Sequence, residues 1–215
     1  MAFNGFTQAD FDSFQIDGLE PRMQAIRERI QPKFHAIAAE VLADASVLAG
    51  DELFLHIARH ARRKVNPPAD TWMSLCYNKK GYKQHPHFQV GLYDDRVFVW
   101  FALIYEAPNK AEIAGRLLRH RSKLYKHIPK HYALSVDHMR KDFASFEAVS
   151  SKDFTAALER FRDVKSAELL IGRVLMMDDP LLADGPAFLQ LVRDTIAHLA
   201  PVYQIAVNRK SAQPL

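Results

Sequence analysis

Two alternating apolar segments on either side of Asp94-Asp95 constrain the fold of this chain more than any other stretch. With these aspartates as a two-residue turn, Tyr93 pairs with Arg96 and every cross-strand pair sums to 189 in residue number. Phe88, Val90 and Leu92 then share a face with Val97, Val99, Phe101 and Leu103, a wholly apolar surface that must be buried. The opposite face carries His87, Gln89, Gly91 and Tyr93 beside Arg96, Phe98, Trp100 and Ala102, with Gln89 opposite Trp100 and Gly91 opposite Phe98. Asp-Asp is a weaker primed turn than Asn-Gly, so a longer loop is the alternative.

The alternation extends to two earlier segments. Residues 53–58 and 71–77, with 87–93 and 96–105, read as four strands, punctuated by Asn66-Pro67-Pro68, Lys80-Gly81 and the aspartates. His56 and His60 lie on one side of the first, and Trp72, Ser74, Cys76 and Asn78 on one side of the second. If these sides align, the sheet has one apolar face and one mixed face of His, Ser, Gln, Asn and Trp. That face suits a ligand pocket or a stacked base; the alternative is a sheet partly covered by helices, its polar groups satisfied.

Helical patterns flank the strands. Thr7 caps a short helix that stops near Gly18. Met23, Ile26, Ile30, Phe34, Ile37 and Val41 then form one stripe of a long helix, which Pro32 should kink or divide and Gly50 should stop. A helix is predicted over 108–128, a strand over 133–136, and a helix carrying Phe154, Leu158 and Phe161 behind a Ser150 or Ser151 cap. A strand over 167–176 and a last helix from Asp184-Gly185-Pro186, with Pro201 near its end, complete the pattern; the tail from about 208 should fray. Helices first, then adjacent strands, then alternating elements describe an α+β fold. It is a single domain over 1–215, whose central, mainly antiparallel sheet is covered by helices as a two-layer sandwich.

A chain of 215 residues that is 48% hydrophobic is long enough to bury one sizeable core. Cys76 is the only cysteine, which rules out an internal disulfide and a cysteine-based zinc site. The N-terminus lacks the pattern of a signal peptide, and the longest apolar run, 97–105, has nine residues against the roughly 20 a spanning helix needs. These features predict a cytoplasmic protein without a membrane partner.

Charge is uneven. Between His56 and Lys141 lie 17 of the 29 Lys and Arg but 6 of the 25 Asp and Glu, a balance of +11 against −7 elsewhere. Such a block suits an anionic partner. Two basic loops, Arg59-His60-Ala61-Arg62-Arg63-Lys64 and Lys79-Lys80-Gly81-Tyr82-Lys83, flank the second strand and offer phosphate donors. Their alternative roles are to brace the Pro67-Pro68 turn and to close a hairpin. The helix after Pro108 is also basic: Arg116, Arg119, His120, Lys123, Lys126 and His127 oppose Ile113, Leu117, Leu124 and Ile128, an arrangement equally suited to a plain solvated face.

Catalytic signatures are absent: there is no phosphate loop, dinucleotide fingerprint, nucleophile elbow or zinc-protease helix, and whether the chain is an enzyme stays open. His85-Pro86-His87 is a weak metal pair without a local carboxylate. Cys76 near His56 or His87 is a weak nucleophile–base pair, since a strand cysteine is usually a small buried hydrophobe. Asp178-Asp179 before Pro180 reads as a turn.

Several segments are wordlike: 50–52, 56–63, 65–68, Asp70-Thr71-Trp72, 78–83, His85-Pro86-His87-Phe88-Gln89 and 97–102. With Phe6-Thr7, 9–12, Asp17-Gly18-Leu19 and Ala167-Glu168-Leu169-Leu170, they resemble the YktB-like family of bacterial proteins over nearly the full length. The resemblance implies a compact α+β domain with a central, mainly antiparallel sheet, grouped loosely with the catalytic core of class II synthetases and biotin ligases. The class II signature motifs are not recognisable here, and the resemblance implies no substrate, cofactor or catalytic residue.

The leading expectation is a non-enzymatic anion-binding protein for RNA or another phosphate-bearing ligand. Arg59, Arg62, Arg63, Lys79, Lys80 and Lys83 would contact phosphates, and Trp100 or Tyr82 would stack. The rival is a small-molecule-binding protein or enzyme with a pocket on the mixed face formed by His56, Tyr82, His87, Gln89 and Trp100. A third reading is a module whose basic helix binds an acidic protein. No cofactor is called for, and the oligomeric state is not legible.

Overall fold

A computed structural model describes residues 2–208. The tail expected to fray beyond Asn208 lies outside the described residues. Seven strands form one antiparallel sheet: β1 (Phe54–Ile57), β2 (Thr71–Cys76), β3 (His87–Leu92), β4 (Arg96–Leu103), β5 (Ala133–Ser135), β6 (Ala144–Ser145) and β7 (Leu169–Met176). Their order is β1-β2-β3-β4-β7-β5-β6. The chain is a single α+β unit, with α1 (Gln8–Asp12), α2 (Leu19–Ala25), α3 (Gln31–Ala49), α4 (Lys110–Arg119), α5 (Arg121–His127), α6 (Ser151–Asp163) and α7 (Gly185–Ala206).

The β3–β4 hairpin has the register of the two-residue turn: His87 faces Ala102, Gln89 faces Trp100 and Gly91 faces Phe98, and the Tyr93 N–H donates to the Arg96 carbonyl at 2.9 Å. The polar sides of the strands do align. His56, Ser74, Gln89, Trp100 and Gly172 form one row across β1, β2, β3, β4 and β7. Gly91 is required where it stands, because a Cβ there would run into the Phe98 ring, the Thr71 carbonyl and the Trp72 Cβ.

The apolar face packs under the helices in one core. From the sheet come Met73, Leu75, Phe88, Val90, Val99, Phe101 and Ile171. From the helices come Phe34, Ile37, Ile113, Leu117, Phe154, Phe188 and Val192. The stripe Met23 to Val41 is buried as spaced. The rod is divided into α2 and α3, one of the two outcomes expected of Pro32. A π turn over Ile26–Ile30 precedes it, and Pro32 falls at the start of α3, where its missing N–H costs little. The helix predicted over 108–128 is interrupted at His120, which leaves helical torsions (φ −103°, ψ 4°) between α4 and α5. Pro201 sits inside α7, which runs on to Ala206.

Among the described residues, no α-helix contributes to the packing on the mixed face, though Gln31 and His35 of α3 line the groove that opens there. The apolar part of the face, Trp72, Phe98, Trp100, Ala102, Ile104 and Leu170, forms a second, smaller core against loops. One loop, residues 136–143, is strapped down by Tyr93 Oη donating to the His138 carbonyl (2.7 Å), by Arg96 Nη1 donating to the Lys141 carbonyl (2.9 Å) and by Lys141 paired with Asp94. Segments 58–70 and 77–86 bound the other end of the face, and between these loops the chain leaves a groove.

Candidate functional site

The groove has a volume of about 1060 Å³. Arg59, Arg62 and Arg63, from the loop after β1, and Lys79 and Lys83, from the loop after β2, line it together with His56, His60, Trp72, Tyr82 and Glu106. β1 and β2 are neighbours, so the loop leaving β1 and the loop leaving β2 approach through the 3-10 turn Tyr82–Gln84 that folds back over the face. Gly81 opens that turn with a left-handed φ of 69°, which a glycine adopts without strain.

Aromatic contacts fix the wall. Trp72 Nε1 donates to Tyr82 Oη at 3.0 Å, and the Tyr82 ring lies 5.2 Å from His56 and 5.3 Å, edge-on, from His87. Lys83 Nζ stands 5.3 Å above the Trp72 ring and 3.8 Å from the Glu106 carboxylate. Lys79 Nζ lies 4.8 Å over Phe54. Arg63 also reaches the Asn66 and Pro67 carbonyls, each at 3.4 Å, so the bracing role weighed for it is present as a weak contact. Lys80 is exposed and does not line the groove; its backbone N–H donates to Asn78 Oδ1 at 2.8 Å.

Three residues expected in a pocket lie beneath its floor. His87 is fully buried. Its Nδ1 donates to the His85 carbonyl at 2.7 Å and its Nε2 accepts from Gln89 Nε2 at 2.8 Å, so both ring nitrogens are spent. Burial holds it neutral, with its pKa pushed down to about 3. Gln89 and Trp100 line a water-sized hollow of about 20 Å³ next to the groove instead. Trp100 is 7% exposed, and its ring stacks on Phe98 at 6.1 Å, within the small core. Cys76 is buried, and burial raises its thiol to about 11, a poor nucleophile.

Asp70, Trp72 and His138 border both the groove and the inner hollow. Asp70 is 4% exposed. Burial outweighs the attraction of His138, Arg63 and Lys83 and lifts its pKa to about 6. Among the described residues its carboxylate has one hydrogen bond, from its own backbone N–H. His138 is held by buried Glu168: its Nδ1 lies 2.8 Å from both carboxylate oxygens and its backbone N–H donates to Oε2 at 2.6 Å, while the Tyr105 N–H donates to Oε1 at 3.3 Å. His60, beside Thr71 Oγ1 at 3.3 Å, is pushed down to about 4, by burial first and then by Arg63 and Lys83.

Among the described residues, one group could bring three metal-ligand atoms within 4.8 Å of one another: Asp137, His138 and Glu168. Both Glu168 oxygens already accept N–H groups, so the cluster works as a latch that fixes the His138 ring. Asp70, His138 and Glu168 were not singled out as site residues from the sequence. A signal for two of them existed: Asp70 and Glu168 continue the mixed-face phase of Trp72 and Leu170 one step beyond the strand ends, where an acid is out of place.

The basic side of α4 and α5 is remote from this groove. Both helices belong to the helical layer on the other side of the sheet, where Ile113, Leu117 and Leu124 enter the main core. Arg116 there donates to the Ile205 and Ala206 carbonyls, capping the end of α7. Among the described residues no helix is long and apolar enough to cross a membrane.

Residues 6–203 match the family described as Domain of unknown function (DUF1054). The chain is 50% identical over 208 residues to a UPF0637 protein of Oceanobacillus iheyensis, covering 96% of this chain and 98% of that one. It is 47% identical over 199 residues to a UPF0637 protein of Exiguobacterium sibiricum (93% and 96% covered). With one from Listeria monocytogenes it shares 45% over 208 residues (97% and 100%). Full-length likeness at this level goes with the YktB-like wording of the strand segments, and the chain belongs to the DUF1054 (UPF0637) family of bacterial proteins.

Proposed function

We propose that the groove binds a small phosphate-bearing ligand. The observation that carries this reading is the convergence of cations from two loops some 20 residues apart, Arg59, Arg62 and Arg63 with Lys79 and Lys83, on one concavity. Guanidinium and ammonium groups held by backbone carbonyls and aromatic rings are suited to phosphate oxygens. Asp70 and Glu106 are the carboxylates in the lining, and Lys83 faces Glu106.

Two features favour a small ligand over RNA. The volume of about 1060 Å³ is of the order of small-molecule sites, about 300–1,000 Å³. The second basic feature, on α4 and α5, lies across the sheet and cannot extend the groove into a track. Trp100, buried under Phe98, offers no stacking surface, so Tyr82 takes that part.

Calorimetric titration with inorganic phosphate and with pyrophosphate, at low and moderate salt, tests the reading. Affinity should fall as salt rises, and Arg62→Ala with Arg63→Ala should weaken it about tenfold or more, by loss of charge-assisted hydrogen bonds. Neutralising Arg119 and Lys123 should leave it unchanged. Absence of binding at low salt would overturn the proposal. Tight binding of long RNA that depended on Arg119 and Lys123 would replace it with a polyanion surface.

A further inference from the structure

We propose that Asp70 and His138 form a hydroxyl-recognising subsite at the floor of the groove, so that its ligand is a sugar phosphate or nucleotide whose neighbouring hydroxyls meet these two residues. The inference rests on the phosphate reading and adds what the rest of the ligand must be.

A buried carboxylate ordinarily has its lone pairs filled by donors. Asp70, immediately before β2, has only its own backbone N–H among the described residues. An ionised carboxylate accepts at about four positions, so most of its capacity is open toward the groove and the hollow it borders. His138 stands on the same two cavities. Glu168 engages Nδ1, and Nε2 has no partner among the described residues. A carboxylate and a ring nitrogen, each without a side-chain partner among the described residues, therefore share one floor.

A hydroxyl both donates and accepts, so it can satisfy the carboxylate and the ring nitrogen in either of the imidazole's forms. Arg63 and Lys83 disfavour a ligand ammonium there, and the Asp70 carboxylate repels a second anion. Vicinal hydroxyls of a sugar supply two neutral donors side by side. The Tyr82 and Trp72 rings supply an apolar wall for the sugar's carbon face or an attached base. The ionisable groups that face Asp70 are His138 from the loop after β5, Arg63 from the loop after β1, and Lys83 and Tyr82 from the loop after β2. Tyr93, from the end of β3, interacts with it electrostatically.

A carboxylate held this way costs stability in the empty protein, which gives a readout that needs no ligand. Asp70→Asn should melt at a higher temperature than the wild type at neutral pH. Titrations with inorganic phosphate, ribose 5-phosphate and AMP should show the two sugar phosphates binding about tenfold or more tightly than phosphate, the worth of a hydrogen bond to a charged group. Asp70→Asn should reduce that gap to near unity while leaving phosphate affinity in place, and Arg63→Ala should weaken all three ligands together.

Equal binding of phosphate and both sugar phosphates would overturn the subsite and leave the phosphate reading standing. So would an Asp70→Asn variant that keeps the gap, or one that melts lower than the wild type. Failure of all three ligands to bind would overturn both readings.

Discussion

Lys110 carries its ammonium into the protein at the start of α4 and donates to three carbonyls, those of Val164 (2.8 Å), Lys165 (2.9 Å) and Ala167 (2.6 Å). It thus ties the end of α6 to α4 with one charged group. Burial lowers its pKa, and Glu168 offsets part of that. Lys110→Met keeps the stem and removes the donors. It should cost about 2 kcal/mol, read as a lower urea midpoint with an unchanged slope. The same kind of inspection separates His87 from His138. One has both nitrogens engaged by its own strand and neighbours; the other has one nitrogen fixed and, among the described residues, one without a partner. Sequence alternation marked His87 and not His138, because alternation reports a face and cannot report hydrogen bonds.

The helix ends follow local chemistry closely. Ser150 and Asp153 form a reciprocal capping box at α6: the Asp153 N–H donates to Ser150 Oγ and the Ser150 N–H donates to the Asp153 carboxylate, each at 3.1 Å. Ser150→Ala should therefore destabilise the protein by about 1 kcal/mol in chemical denaturation, with the groove unaffected. Asp184 caps α7 in the expected place, its side chain accepting from the Ala187 N–H at 3.0 Å. The two helix prolines fall in different settings. Pro32 was read as kinking or dividing a long helix and stands at the start of α3 behind a π turn; Pro201 was read near the end of the last helix and stands within α7, which continues to Ala206. Packing of a buried stripe against the sheet outweighs one missing backbone hydrogen bond.

At the scale of the whole molecule, pH acts on the mixed face in two opposing senses. The Asp70 carboxyl is raised from 3.8 to about 6, so the folded state holds its proton more tightly than the unfolded chain. Its favourable contribution is complete below about pH 4 and is lost as pH rises through 6. His60 and His87 are lowered from 6.5 to about 4 and about 3. Their contribution is present above about pH 6.5 and is lost as pH falls through those values. Between pH 4 and 6 the two trends oppose each other. Denaturation of Asp70→Asn across pH 4 to 7.5 should show stability climbing with pH more steeply than in the wild type, with the variant's gain small at pH 4 and level above about 6.5. Parallel profiles would show that the carboxyl does not titrate as described.

The chain's local pattern was enough to pick out every strand but the two-residue β6, the two faces, the two-residue form of the β3–β4 register and most helix starts, because each depends on periods of two and 3.6 residues and on capping chemistry within a few positions. It was also enough to pick out the two basic loops. Tertiary structure alone decided that β7 enters the sheet between β4 and β5, which brings Glu168 beside a loop 30 residues earlier and so fixes His138. It decided too that helices cover one face while loops cover the other, leaving Asp70 on the floor of an open groove and the basic helix on the far side. Long-range strand pairing and the closure of loops are set by how a whole core packs, and no short window of residues contains that balance of burial against chain entropy.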